Sequence, residues 1–85
     1  MEVISSKSND KIKYAVKLRE SASFRKKEEK FFLESARLIK DATLSGAEIE
    51  MLFVTEDANE KYGEYIEVIL KSTKKAFIIS DTMSL

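Results

Sequence analysis

The sequence predicts an α/β fold, with a mainly parallel central sheet and helices on both of its faces. Three observations predict it. Lys30 to Gly46, KFFLESARLIKDATLSG, reads as a short strand, a tight polar turn and a helix. Residues 47–70 repeat that order, with a strand candidate followed by an amphipathic helix, and residues 74–79 supply a third apolar run. Strand and helix signals that alternate in this way make βαβ units, whose strands run parallel because the helix returns the chain to the starting end of the sheet.

Met1 to Ser8 is a polar lead-in with Val3 and Ile4 as its only strong apolar pair. Ser8, Asn9 and Asp10 form an N-cap cluster, and Lys11 to about Glu20 follows as a helix. Ile12, Ala15, Val16 and Arg19 share one stripe of that helix, while Lys11, Lys13 and Lys17 lie off it. Ser21 to Glu29 reads as a frayed helix end running into a basic loop. Phe31–Leu33 is the first strand, an apolar run with aromatic β-propensity. Ser35 caps the next helix, which carries Ala36, Ile39 and Thr43 on one side, and Gly46 ends it. Ile49, Met51 and Phe53 alternate with Glu50, Leu52 and Val54, giving a strand near Met51–Thr55 that is covered on both faces. Glu56 to Asn59 is a polar break, and the helix from Glu60 to about Leu70 places Tyr62, Tyr65, Ile66, Ile69 and Leu70 at i, i+3, i+4, i+7 and i+8. Ala76–Ile79 is the third strand. Ser80-Asp81-Thr82 reads as one more N-cap with too little chain after it to bury a helix, so the expectation is an element cut short and a longer parent protein.

A chain of 85 residues is one small domain, and this one has the 44% hydrophobic content of a globular fold and the 35% charged content of a soluble one. It contains neither Cys nor His, which excludes disulfides and thiolate chemistry and removes the commonest general base and metal ligand. No apolar run approaches the roughly 18–20 residues of a membrane span, and no signal peptide opens the chain, so no membrane and a cytoplasmic location are expected. The zero net charge conceals an asymmetry. In residues 1–40, 11 Lys/Arg against 6 Asp/Glu give +5, and in residues 41–85, 4 against 9 give −5. A basic half points to a polyanion, above all nucleic acid.

Ile4, Ser6, Asn9, the Ile12-Lys13 pair, Leu18, Arg25 and Phe31-x-x-Glu34-x-x-Arg37-Leu38-Ile39 occur in an order that resembles a known family. The chain is similar to the N-terminal substrate-binding domain of the SpoU/TrmH-type RNA ribose 2′-O-methyltransferases, over nearly its whole length. The resemblance implies an L30e-like α/β/α sandwich that presents ribosomal or transfer RNA. It also implies a parent enzyme, a homodimer, whose separate knotted catalytic domain binds S-adenosylmethionine. Motifs of that domain are absent from residues 1–85, so this stretch holds no cofactor and no methyltransferase activity is expected of it. The family has glycine after the glutamate where this chain has Ser35, and serine there suggests an ordinary capped turn.

The candidate RNA-binding residues are Lys13, Lys17, Arg19, Arg25, Lys26, Lys27 and Arg37, with Lys30 beside them. Lysine and arginine bind phosphates by charge and by releasing condensed counterions, and arginine adds a planar fork. The bland alternative is a solvated charged face. On the RNA reading, removing Arg25 and Lys26 should flatten the salt slope of RNA binding by about one or two units and leave stability almost unchanged, because exposed charges contribute little to folding. Phe24, among basic residues, is either a stacking platform for a base or a packing residue. Phe31, Phe32, Tyr62, Tyr65 and Phe77 are assigned to packing. Glu34 stands where a general base could stand, but with no second catalytic group beside it, a structural role at the turn is the better assignment. Two rival functions stay open: a free-standing L30e-like RNA-binding protein without enzymatic activity, and a protein–protein adaptor working through the acidic stretch from Glu48 to Glu67.

Overall fold

The computed structural model of the chain describes residues 1–80; Asp81 and Thr82 of the expected last cap, and Leu85, lie outside the described residues. The elements are β1 (Glu2–Ile4), α1 (Asp10–Glu20), α2 (Ala22–Glu28), α3 (Ala36–Leu44), β2 (Ile49–Thr55), α4 (Glu56–Lys61), α5 (Gly63–Leu70) and β3 (Thr73–Ile79). The three strands form one sheet in the order β1-β3-β2, with both pairings parallel. Phe77 stands opposite Glu2 on one side and Phe53 on the other.

Strand periodicity divides the core in two. On one face, Phe77 and Ile79 of β3 join Ile4 and Ile12, with Val16, Met51 and Phe53 packed around them. On the other, Leu52 and Val54 of β2 meet Ile66 and Ile69 of α5, with Ile39, Ala58 and Tyr65 at the margin. Helix α1 therefore covers one face, and α3, α4 and α5 cover the other, which makes the α/β/α sandwich that the strand–helix alternation predicts. Phe53 and Phe77 stack at 5.4 Å within the first cluster.

Helix ends follow local chemistry. Asn9 Oδ1 accepts from the Lys11 N–H at 2.8 Å and starts α1. After α3, the Gly46 N–H bonds the Thr43 carbonyl and the Ala47 N–H bonds the Ala42 carbonyl, a Schellman closure. It requires the left-handed φ of +98° that Gly46 adopts without a Cβ penalty.

Four expectations need correction. Phe31–Leu33 is not a strand, and the first strand is instead β1, three residues long and too short to show periodicity. None of the three joins the ladder, and Phe31, expected to pack, is 90% exposed. Residues 22–28 are a true helix rather than a frayed end, because the Ser21 hydroxyl accepts from the Phe24 N–H at 3.1 Å and opens a new helix where α1 stops. The polar break at Glu56 is helix α4, capped by the Thr55 hydroxyl on the Ala58 N–H, and the expected Glu60–Leu70 helix divides at Tyr62.

The fourth correction concerns Ser35. It is not an ordinary capped turn: its φ is +94° and its ψ 120°, a conformation natural to glycine and strained for serine. Its hydroxyl still caps α3, with a 3.4 Å contact to the Leu38 N–H. Strain of this kind costs about 1–3 kcal/mol, whereas exchanging a serine cap for glycine loses only a few tenths. Ser35→Gly is therefore expected to raise stability by about 1 kcal/mol, and Ser35→Ala to lower it. Urea midpoints at constant m-value check this, and a less stable Ser35→Gly protein would contradict it.

Candidate nucleic-acid interface on helices α1 and α2

An α-helix turns about 100° per residue, so burying Ile12, Ala15 and Leu18 against the sheet directs Lys13 and Lys17 outward. Both are exposed, and together with Lys7 they line a shallow depression of about 410 Å³ floored by Ile12 and Val16. Glu20 and Ser21 also line it. Lys7 escaped sequence reasoning because it sits in the polar lead-in, and only the fold folds that lead-in back beside α1.

Aromatic packing joins α2 to this face. Phe24 meets Tyr14 edge-on with centroids 5.6 Å apart, and the Lys17 ammonium lies 4.4 Å from the Phe24 ring centre. Phe24 is thus a packing residue, half-buried and partly covered, as the bland reading of it holds. The Tyr14 hydroxyl donates to Glu28 Oε1 at 2.8 Å. Burial raises the Tyr14 pKa, and the hydrogen bond to Glu28 and its negative charge raise it further. Lys30 contacts Glu50 of β2 at 2.8 Å, and that hydrogen bond is the chief cause of its raised pKa.

The other sequence candidates fall in different places. Lys26 and Lys27 are exposed on α2, and Lys27 lies about 60° around the helix from Phe24. Arg19 is half-buried and engaged by Glu20 at 3.1 Å. Arg37 is exposed on α3, whose Ile39 packs on the opposite face of the sheet, so it does not join the α1 lysines.

Arg25 is the instructive case. Its guanidinium donates from Nη1 to the Leu18 and Arg19 carbonyls, at 2.6 and 2.8 Å. These belong to the last turn of α1, where carbonyls have no helical partner and a cation suits the helix dipole. Arg25 therefore fixes the angle between α1 and α2, and the expectation that its removal leaves stability unchanged is corrected. The arrangement gathers the ammonium groups of Lys7, Lys13 and Lys17 around one depression. Among the described residues, no His/Cys/Asp/Glu group could hold a metal ion, and no helix is long and apolar enough to cross a membrane.

The family model of the MRM3-like substrate binding domain matches residues 9–83. No curated protein and no solved structure matches the chain.

Charged hydrogen bonds contribute about 1.5–3 kcal/mol, less where solvent reaches them. Arg25→Ala is expected to cost about 1–2 kcal/mol in urea unfolding and Lys26→Ala less than about 0.5. Equal stabilities of the two variants would contradict the clamp.

Proposed function

The chain belongs to the MRM3-like substrate-binding domain family, and on that premise we propose that it is the RNA-recognition domain of a transfer- or ribosomal-RNA ribose 2′-O-methyltransferase, gripping RNA through the α1–α2 face. The observation that carries this reading is the convergence of Lys7, Lys13 and Lys17 on one depression, with Lys27 on the adjoining helix. Ammonium groups spaced along a rigid face suit a phosphate backbone, and they read position rather than sequence. The acidic stretch from Glu48 to Glu67 carries a stacked Tyr62–Tyr65 pair with the Lys40 and Lys61 ammonium groups over its rings, but Lys61 is its only Lys or Arg, so the RNA reading rests on the basic half and is preferred to the adaptor.

Methyl transfer belongs, on this reading, to a catalytic domain outside these residues, where S-adenosylmethionine supplies the methyl group. The residues here do not fit that cofactor. Gly46 is a helix cap and Gly63 opens α5, so neither belongs to a glycine-rich loop.

Each phosphate contact contributes up to roughly 0.9 to the salt slope of log affinity on duplex nucleic acid. Lys13→Ala with Lys17→Ala should flatten the slope by about one to two units. Losing the Lys17–Phe24 contact should cost only about 0.5–1 kcal/mol of stability. Lys74→Ala with Lys75→Ala, in the acidic half, should leave the slope unchanged. RNA binding across a salt series with melts alongside tests this, and equal slopes for all three proteins would overturn it.

A further inference from the structure

Strand β2 has an open edge, and the ladder shows which of its groups are open. The Ile49 N–H donates to the Ser72 carbonyl at 2.8 Å, on the side of β3. A strand residue directs its N–H and C=O to one side and the next residue to the other, so Ile49, Met51, Phe53 and Thr55 serve the ladder with β3. Glu50, Leu52 and Val54 present theirs to the outer edge, where, among the described residues, no backbone group meets them. Leu52 and Val54 are nonetheless 6% and 5% exposed. Buried backbone groups are paired in nearly all folded proteins, so this edge lacks a partner that its burial calls for.

A cleft of about 690 Å³ lies along that edge, with residues 29–36 as its other wall. Its sides are apolar in both layers, with Tyr14 and Leu18 from α1 and Ile39 and Ile66 from the helices opposite. Its charge is one-sided. Glu29, Glu34, Glu48 and Glu50 line it, all exposed and therefore at its rim. Among the described residues, Lys30 is the one lining cation, and Glu50 already holds it at 2.8 Å. Lys61 lies 5.6 Å from the centre of the Tyr62 ring, which also lines the cleft. Glu29, Glu34 and Glu48 have no ion-pair partner among the described residues. Such a rim repels a phosphate chain and attracts a cation.

We infer that this cleft binds an extended segment of a partner protein, apolar at its centre and cationic at its ends, which adds to β2 as a further strand. The open N–H and C=O groups of Glu50, Leu52 and Val54 bond its backbone, over a length of ~13 Å that about five extended residues match. The apolar walls take its central side chains on both faces of the sheet, and the rim carboxylates take lysine or arginine at its ends. A free polyamine would satisfy the rim and leave the edge unpaired. The site is separate from the depression lined by Lys7, Lys13 and Lys17, so the inference does not depend on the RNA reading.

The test uses the purified chain and the capped peptide Lys-Lys-Val-Val-Val-Lys-Lys. Binding should slow amide exchange at Leu52 and Val54, read by NMR, and leave Met51 and Phe53 as they are in the free chain. Methylating the backbone nitrogens of two adjacent valines should weaken binding about tenfold, and the peptide with glutamate for lysine should not bind. Glu34→Gln with Glu48→Gln should melt with the wild type and bind the lysine peptide about fivefold more weakly at low salt. No binding, equal binding of either control peptide, or protection of other amides alone overturns the site. Leu52 and Val54 amides already protected in the free chain would mean that the chain's own residues close the edge, or a second copy does if protection rises with protein concentration, and either overturns it. Spermidine matching the peptide's affinity, or duplex RNA protecting the same two amides, also overturns it.

Discussion

The three strands and the α1 layer meet at Phe77. It sits in the middle of the central strand, 2% exposed, stacked on Phe53 of β2 and clustered with Ile4 of β1 and Ile12 of α1. Side chains buried this completely each contribute about 1.5–3 kcal/mol, a large share of the total in a domain whose net stability is about 5–15 kcal/mol. The constraint reaches further than energy. Because β3 pairs with both neighbours, its register sets which residues of β1 and β2 face α1, and Ile12 can enter that cluster only if Lys13 and Lys17 point away from it.

The candidate interface is a consequence of that core and of one joint. Helix α1 is fixed by its apolar stripe, and Ser21 ends α1 and caps α2 within a single extended residue. Arg25 then bonds back to the last turn of α1, so a cation that looks from its neighbours like part of a binding run is engaged in holding the elbow. Lys13 and Lys17 owe their direction to the buried stripe of α1, and the elbow sets only where α2 lies beside them.

The fold was legible where periodicity extends over more than a turn. The stripe of α1, the alternation from Met51 to Val54 and the spacing of Ile66 and Ile69 each predict a buried face that exists. Three-residue segments defeated the same reasoning. Val3 and Ile4 are too few to display a period, and Phe31–Leu33 has strand composition but no partner in the ladder. Of the site, the charge asymmetry was legible and the convergence of Lys7 with Lys13 and Lys17 was not, because it depends on how the lead-in folds back. Ser35 is the sharpest case. Reading serine in place of glycine as a different turn was reasonable by propensity, yet the surrounding chain imposes the positive φ that glycine would have adopted freely.

The central claim is that RNA lies on the α1–α2 face, and acetylation of lysines in the free and RNA-bound chain, read by mass spectrometry, tests it most directly. The account predicts that RNA protects Lys7, Lys13, Lys17 and Lys27 and leaves Lys61, Lys71, Lys74 and Lys75 as reactive as in the free chain. Protection of the second set with the first unprotected would contradict it.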